Sequence, residues 1–425
     1  MFKQHNIIAA AELGTSKVSV LVGEYSEDNF SVIGKGELPS DGAVVKGEIV
    51  DMDLALEKLS DCLDQADLQS GRELNNCSML SLVVTGCDMD SILSEGTVFV
   101  QSDDRRISED DIFNAVCNSK AQQLPAERMR VNSFDAYYMA DNVRRFKQPI
   151  NQCANTLKAY SHIIHGNSNR LHNFLSVAAD AGLDVETEMI FSPAADILGA
   201  LSDDEMEAGA LVIDLGAGVT EYGIIYNNGV MATGVLPIGF DHVANDIAVG
   251  LNLPINFCRK FLEDGTLERL TRENELFVEC HCNSGSLRKI PVESFNRIAD
   301  ERLREIFEII CGRLRKQSCW NNLSAGCVLT GGGADFFRTR NMLQMVCDLP
   351  SRIGKPFAVN GLAEELNSGR YSTLYGALRY AHLLCLQQDS RRKNSLGGIR
   401  ETISGLGDSV SRAIKNLRGN MSIWG

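Results

Sequence analysis

Long apolar runs are missing from this chain. Nowhere do about 18 or more apolar residues follow one another, which excludes an ordinary membrane-crossing helix. Met1 to Asn6 leads straight into a strand-like run, with no apolar signal segment before it. These two absences lead to the expectation of a cytoplasmic protein. Positive charge is also scarce: 41 Lys and Arg stand against 56 Asp and Glu, a formal net charge of −15. That balance argues against general nucleic-acid binding, which needs a basic face to meet phosphate. The 13 cysteines lie scattered through apolar segments and form no disulfide framework, as suits a reducing compartment. Cys280-His281-Cys282 lacks a second Cys/His pair at zinc-ligand spacing, so it reads as a partly buried strand.

What is present begins with size. The 425 residues, 44% hydrophobic and 23% charged, suffice for two to four domains and a sizeable core. Three glycine-rich turns punctuate them: Ala11-Glu12-Leu13-Gly14-Thr15, Asp214-Leu215-Gly216-Ala217-Gly218-Val219-Thr220 and Leu329-Thr330-Gly331-Gly332-Gly333-Ala334. Each follows a short apolar run that reads as a buried strand: Ile7 to Ala10, Ala210 to Ile213, and Cys327 to Leu329. Without a Cβ, such turns let backbone amides approach a phosphate or a sugar closely. The first two repeat an acid-x-Gly theme, which predicts two related half-domains facing one cleft. Glu12 and Asp214 could hold a hydrated magnesium ion between them. Gly14, Thr15, Ser16, Lys17, Gly216, Ala217 and Gly218 could meet phosphates, with Lys17 as a point charge or simply a solvated lysine. Gly331, Gly332 and Gly333 would let backbone lie flat against a nucleoside. For any single turn the rival reading is a tight strand-to-helix connection with no ligand.

The pattern along the chain predicts strands at Val18 to Glu24, Phe30 to Lys35 and Met79 to Thr85, with a helix from about Leu54 to Leu68. Between 84 and 163 the texture changes to a small inserted α+β unit. Its helix opens at Ser108 with acids in the first turn. An amphipathic helix spans Asn167 to Ala181, and a second α/β unit starts near Ser192, with Asn227-Asn228-Gly229 as a hairpin turn. A long helix from Pro291 carries Phe295, Ile298, Leu303, Ile306, Phe307 and Ile310 as its apolar stripe, and a last body helix runs near Thr373 to Leu386. Residues 388–408 are polar and glycine-rich, a flexible linker by composition.

Charge is unevenly placed. From Arg391 onward there are seven Lys or Arg and two Asp or Glu, +5, which leaves −20 on the rest. As a helix, residues 409–425 would align Val410, Ala413, Ile414, Leu417, Met421 and Trp424 on one face, with Arg412, Lys415 and Arg418 on the other. An interfacial anchor on anionic lipid fits this pattern. So does a helix that packs back on the body or enters a partner's groove.

The ordered turns resemble the two phosphate motifs and the adenosine motif of the actin, hexokinase and heat-shock ATPase superfamily. More narrowly, the chain resembles the bacterial FtsA family nearly end to end. Gly14-Thr15-Ser16-Lys17-Val18 followed by Val22-Gly23-Glu24 looks like that family's opening. Pro237-Ile238-Gly239-Phe240-Asp241-His242-Val243-Ala244-Asn245-Asp246-Ile247-Ala248 is similar to its lead into subdomain 2B. Val328-Leu329-Thr330-Gly331-Gly332-Gly333-Ala334 matches almost letter for letter, and Tyr371-Ser372-Thr373 with Gly376 and Tyr380 resembles its closing helix.

The resemblance implies an actin-like ATPase fold of two related halves with the family's inserted α+β subdomain 1C. Subdomain 1A would take 1–83 and 164–191, 1C 84–163, 2A 192–240, 2B 241–320, and 2A with the closing helix 321–387. The linker 388–408 and the membrane-targeting helix 409–425 would follow. It further implies ATP and Mg2+ as ligands, self-assembly into filaments, and tethering of FtsZ filaments to the cytoplasmic face of the inner membrane at the septum. Other divisome proteins would meet subdomain 1C, and FtsZ's C-terminal peptide would dock on 2B, where Arg302 falls at the position of a basic residue. The chain departs from the family at Glu12, where an Asp is usual, and at Ala217 and Val219, which replace a glycine and a threonine. In Phe257-Cys258-Arg259-Lys260-Phe261 only Lys260 has a counterpart, a nucleotide-gripping lysine. No residue stands out as a general base, so at most weak ATP turnover is expected. A PilM-like scaffold of a pilus platform shares the fold but not the basic tail. A sugar-kinase-type phosphotransferase would need a catalytic acid and a sugar pocket, for which the sequence offers no candidate, and a heat-shock-type ATPase would need a substrate-binding β-domain.

Overall fold

The computed structural model describes residues 6–395 apart from 27, 28, 73, 75, 76 and 184. The chain opens with β1 (Asn6–Leu13), β2 (Lys17–Ser26) and β3 (Asn29–Pro39), then a tight hairpin of β4 (Val44–Val45) and β5 (Glu48–Ile49). Helix α1 (Met52–Ser70) starts where Asp51 Oδ1 accepts from the Leu54 amide at 3.0 Å, and stops at Gly71, whose φ is 62°. Strand β6 (Leu80–Val84) follows. The inserted unit comprises β7 (Asp90–Phe99), α2 (Glu109–Lys120), β8 (Arg128–Ala140), β9 (Arg144–Phe146) and β10 (Thr156–Asn167). A reciprocal Ser108–Asp111 capping box opens α2. The chain then returns through α3 (Ser168–Asp180) and β11 (Thr187–Phe191).

The second half begins with α4 (Ser192–Ala200) and α5 (Asp203–Ala208), then β12 (Ala210–Leu215), β13 (Thr220–Tyr226) and β14 (Gly229–Leu236). Asn227 and Asn228 turn the last hairpin at φ 52° and 62°, the left-handed pair that such a two-residue turn requires. Helices α6 (Asp241–Leu251), α7 (Ile255–Glu263) and α8 (Thr266–Arg272), the hairpin β15 (Phe277–His281) and β16 (Leu287–Pro291), and α9 (Val292–Leu314) follow as a mainly helical lobe that shares one core with β12–β14. Strand β17 (Gly326–Thr330), α10 (Thr339–Cys347), β18 (Ser351–Ile353) and α11 (Ser372–Ser395) complete the fold.

The two large sheets have the same topology, β11-β6-β1-β2-β3 and β14-β13-β12-β17-β18. In each, an antiparallel three-strand meander leads to two parallel strands, and the first strand is central. The related halves read from the repeated acid-x-Gly theme are therefore real. β12 is buried along its whole length, as its unbroken apolar run demands. In α9, Phe295, Leu303, Ile306, Phe307 and Ile310 are fully buried. Each such side chain is worth roughly 1.5–3 kcal/mol over exposure. Ile298 is only half-buried, and Cys280 and Cys282 are buried with His281 outside, as a strand pattern predicts.

Between the halves, α4 and α11 cross at glycine. A Cβ at Gly199 would fall 2.0 Å from the Ser372 carbonyl, and one at Gly376 1.8 Å from that of Ala195. The inserted unit ties both halves as well. The Asn132 side chain donates to Met189 O and accepts from the Phe191 amide, closing the β11 edge. His162 Nε2 shares a 2.9 Å hydrogen bond with Thr233 Oγ1 on edge strand β14. Burial pushes the His162 imidazole down to about 4, so it stays neutral.

One expectation is corrected here. Residues 388–395, read as the start of a linker, belong to α11, which continues to Ser395. Its composition there, Gln, Arg and Lys, suits a helix as well as a loop. Val410, Arg412, Ile414, Lys415, Leu417, Arg418, Met421 and Trp424 lie outside the described residues.

Candidate functional site: a glycine-lined acidic cleft between two halves

The three glycine turns converge on one cleft of about 580 Å³. Glu12, Gly14, Thr15, Ser16 and Lys17 line it from the first half, Asp214, Gly216, Ala217 and Gly218 from the second, and Gly331, Gly332 and Gly333 complete it. The turns sit where strand ends meet. β1 ends at Leu13, and the Gly14 amide donates to Lys17 O at 2.9 Å to reverse the chain into β2. In the second half, the start of α6 anchors the turn: the Phe240 and Asp241 amides donate to Gly216 O and Ala217 O. Gly331 cannot be replaced cheaply. Its φ is 83°, and a Cβ there would lie 2.1 Å from Asp214 Oδ1.

Lys260 is the one proposed nucleotide contact that the cleft does not include. Cys258, Phe261 and Leu262 are the buried residues of α7, which turns Lys260 to the exposed outer face. That element instead offers Leu262 and Glu263, followed by Gly265 and Glu268. The apolar end of the cleft adds Phe336 and Phe337, packed edge to face with centroids 4.9 Å apart. Sequence reasoning missed these, along with Glu37, Arg370 and Thr373, because none carries a glycine signature.

The electrostatics of the floor are unusual. Glu12 is partly buried, and its Oε2 is shut off from solvent with no hydrogen-bond partner among the described residues. Burial pushes it up to about 7, against the pull of Lys17. Glu221 is pushed up to about 8 by burial and by the Asp214 charge, and its Oε1 accepts from the Gly86 amide at 3.3 Å. Asp214 accepts from Ser192 Oγ at 3.2 Å and Thr373 Oγ1 at 3.3 Å, and burial still raises it. Asp196 of α4 shares Thr373 with Asp214 and is pushed well up by burial and by that neighbour. An Asp inside the otherwise apolar run Ser192-Pro193-Ala194-Ala195-Asp196-Ile197 was a signal that could have been caught. Lys17 lies 2.9 Å from Glu37 Oε2, and burial pushes its ammonium down.

Around the cleft, eight carboxylates (Glu12, Glu37, Asp214, Glu221, Asp241, Glu263, Glu268 and Asp335) face two cations, Lys17 and Arg370. A polyanion needs a counter-cation to enter such a field. The buried, unpartnered Glu12 oxygen beside the Asp214 turn fits a hard divalent ion. No group of three or more His, Cys, Asp or Glu could hold a metal among the described residues. Magnesium would therefore be held by two carboxylates with water and phosphate, its usual habit.

Two related halves about a glycine-lined cleft, with an α+β insertion, define an actin-like ATPase fold. The PilM–PilN type IV pilus biogenesis complex aligns with a TM-score of 0.58 at 13% identity, over 88% of this chain and 98% of that one. MreB5 of Spiroplasma citri bound to AMPPNP aligns at 0.52 and 12%, over 93% and 99%. A family model described as cell division protein FtsA matches residues 211–376, and one described as the SHS2 domain inserted in FtsA matches 86–165. The cell division protein FtsA of Borreliella burgdorferi is 30% identical over 383 residues, 89% of this chain and 91% of that protein. That of Pseudomonas aeruginosa is 27% identical over 377 residues, 88% and 89%. The chain belongs to the FtsA family of cell-division proteins.

Proposed function

We propose that the chain binds ATP with magnesium in the cleft, assembles into filaments, and tethers FtsZ filaments to the cytoplasmic face of the inner membrane at the septum. The convergence of three glycine turns on one acidic cleft, with an unpartnered buried carboxylate oxygen at its floor, carries the nucleotide part of this reading. A solved neighbour of the same fold is bound to AMPPNP, which supports it. When bound, magnesium would neutralise the polyphosphate and fix its orientation. Glu12 and Asp214 would hold it, the first two turns would meet phosphate through backbone amides, and Phe336, Phe337 and Leu262 would border the nucleoside. Glu221 keeps a proton at neutral pH and so makes a poor base, in keeping with a nucleotide that orders the cleft more than it is consumed.

The tether falls to residues 409–425, whose apolar and basic faces suit an interfacial helix. No helix among the described residues is long and apolar enough to cross a membrane. FtsZ's C-terminal peptide would dock on the 241–320 lobe beside α9, and other divisome proteins on the inserted unit. On α9, Arg302 pairs with Asp246 at 2.5 Å and with Glu305, and its side chain is 23% exposed. Only its outer edge remains for a partner.

Thermal unfolding tests the nucleotide reading. A ligand at about a hundred times its Kd stabilises the folded state by about 2.7 kcal/mol. Millimolar ATP should raise the melting temperature when magnesium is present and do so much less with EDTA. No shift under either condition would contradict the reading.

A further inference from the structure

Glu37, near the end of β3, holds two cations at once. Lys17 Nζ donates to its Oε2 at 2.9 Å, and Arg370 Nη2 to its Oε1 at 3.2 Å. Both cations also border the Tyr371 ring, 4.3 Å and 5.4 Å from its centre. They are not equally bound. The Lys17 side chain is 12% exposed and has the Arg370 carbonyl at 3.4 Å behind it, whereas the Arg370 side chain is 43% exposed. An ion pair that open to water is screened and weakly held. Arg370 is therefore the cation free to leave.

Its position gives it somewhere to go. Arg370 lies in the single turn Gly369–Tyr371, which hangs on the third glycine turn through a 3.2 Å hydrogen bond from the Gly331 amide to Gly369 O. It lines the same cleft as Gly14 to Lys17. Its charge reaches Glu12 at the floor and Glu263 on the opposite lobe. A planar guanidinium there can pair two phosphate oxygens at once.

We propose that Arg370 is the residue that distinguishes a nucleoside triphosphate from a diphosphate: Glu37 holds it in the empty cleft, and the terminal phosphate takes it over. Lys17 remains on Glu37 throughout, so the carboxylate never loses its buried partner. This rests on the nucleotide reading above and goes beyond it, because it assigns triphosphate preference to one side chain.

The test titrates Mg-ATP and Mg-ADP into the full chain and into Arg370→Ala, Arg370→Lys and Glu37→Gln. Losing charge-assisted hydrogen bonds should weaken ATP by roughly tenfold or more in Arg370→Ala and leave ADP within about twofold. Arg370→Lys should recover part of the loss. Glu37→Gln, which frees Arg370 from its competitor, should tighten ATP several-fold, by roughly the strength of an exposed ion pair. Equal effects on both nucleotides, or an ATP/ADP ratio that no variant moves, would overturn the proposal while leaving nucleotide binding intact. Should Arg370→Ala misfold, Glu37→Gln decides alone, and unchanged or weaker ATP binding sinks the idea. An unaltered chain that binds neither nucleotide would instead contradict the parent reading, and this proposal with it.

Discussion

Replacing Glu12 by Gln should change how the stability of this protein responds to pH. The folded state holds the Glu12 proton up to about 7, whereas an unfolded glutamate releases it near 4.5. Below the unfolded value both states are protonated, and the group contributes no pH dependence. As pH rises past it, the unfolded chain gains a favourable charge that the buried site refuses, so stability falls until the folded group also ionises. At 1.36 kcal/mol per unit, Glu12 accounts for a loss of about 2 kcal/mol between about pH 5.5 and about pH 8.5. Urea unfolding of the nucleotide-free protein at those two values measures it. The unaltered chain should be the less stable at the higher pH, and Glu12→Gln should lack about 2 kcal/mol of that difference. An identical drop in both proteins would refute the burial argument. Mg-ATP should flatten the profile of the unaltered chain, because a cation beside Glu12 favours its charged form.

Other expectations concern surfaces. Pelleting with anionic liposomes should be lost when the chain ends at Ser390 and when Trp424 becomes Glu. Equal pelleting of all three would rule out the anchor. Thr233→Val strips His162 of its bonded partner, leaving a buried polar ring at a cost of about 1–3 kcal/mol. Hydrogen exchange along β14 should quicken, and unchanged exchange would contradict the strut role of the insertion. Asp246→Asn loosens Arg302 from α6 and should hold or raise affinity for the FtsZ C-terminal peptide, whereas Arg302→Ala should lower it. If neither moves affinity, Arg302 is only a strap between α6 and α9.

Local signals carried much of the fold. Glycine after an apolar run marked where β1, β12 and β17 end. The Ser108 cap placed one helix start, and Asn227-Asn228-Gly229 placed a hairpin, whereas the Asp51 cap that opens α1 at Met52 went unread. What stayed hidden depended on long-range packing. Glu37 and Arg370 are 333 residues apart and meet only because α11 returns to the first half. Asp196 is one polar residue in an apolar helix, and its place beside Asp214 depends on Thr373, 177 residues away, which bonds both carboxylates. The phase of α7 decides that Glu263, not Lys260, reaches the cleft, and that phase is set by packing that the residues around Lys260 do not reveal. The hairpin at Val44–Ile49 was missed because its two strands are only two residues each.

The most direct measurement is calorimetric titration of ATP into the full chain, with and without magnesium, beside Gly331→Ala. The cleft geometry predicts saturable binding to one site that requires magnesium. It also predicts that Gly331→Ala, folded by circular dichroism, binds far more weakly because its Cβ collides with Asp214. Absence of heat at millimolar Mg-ATP, or equal binding by Gly331→Ala, would contradict a nucleotide site at the meeting of the three turns.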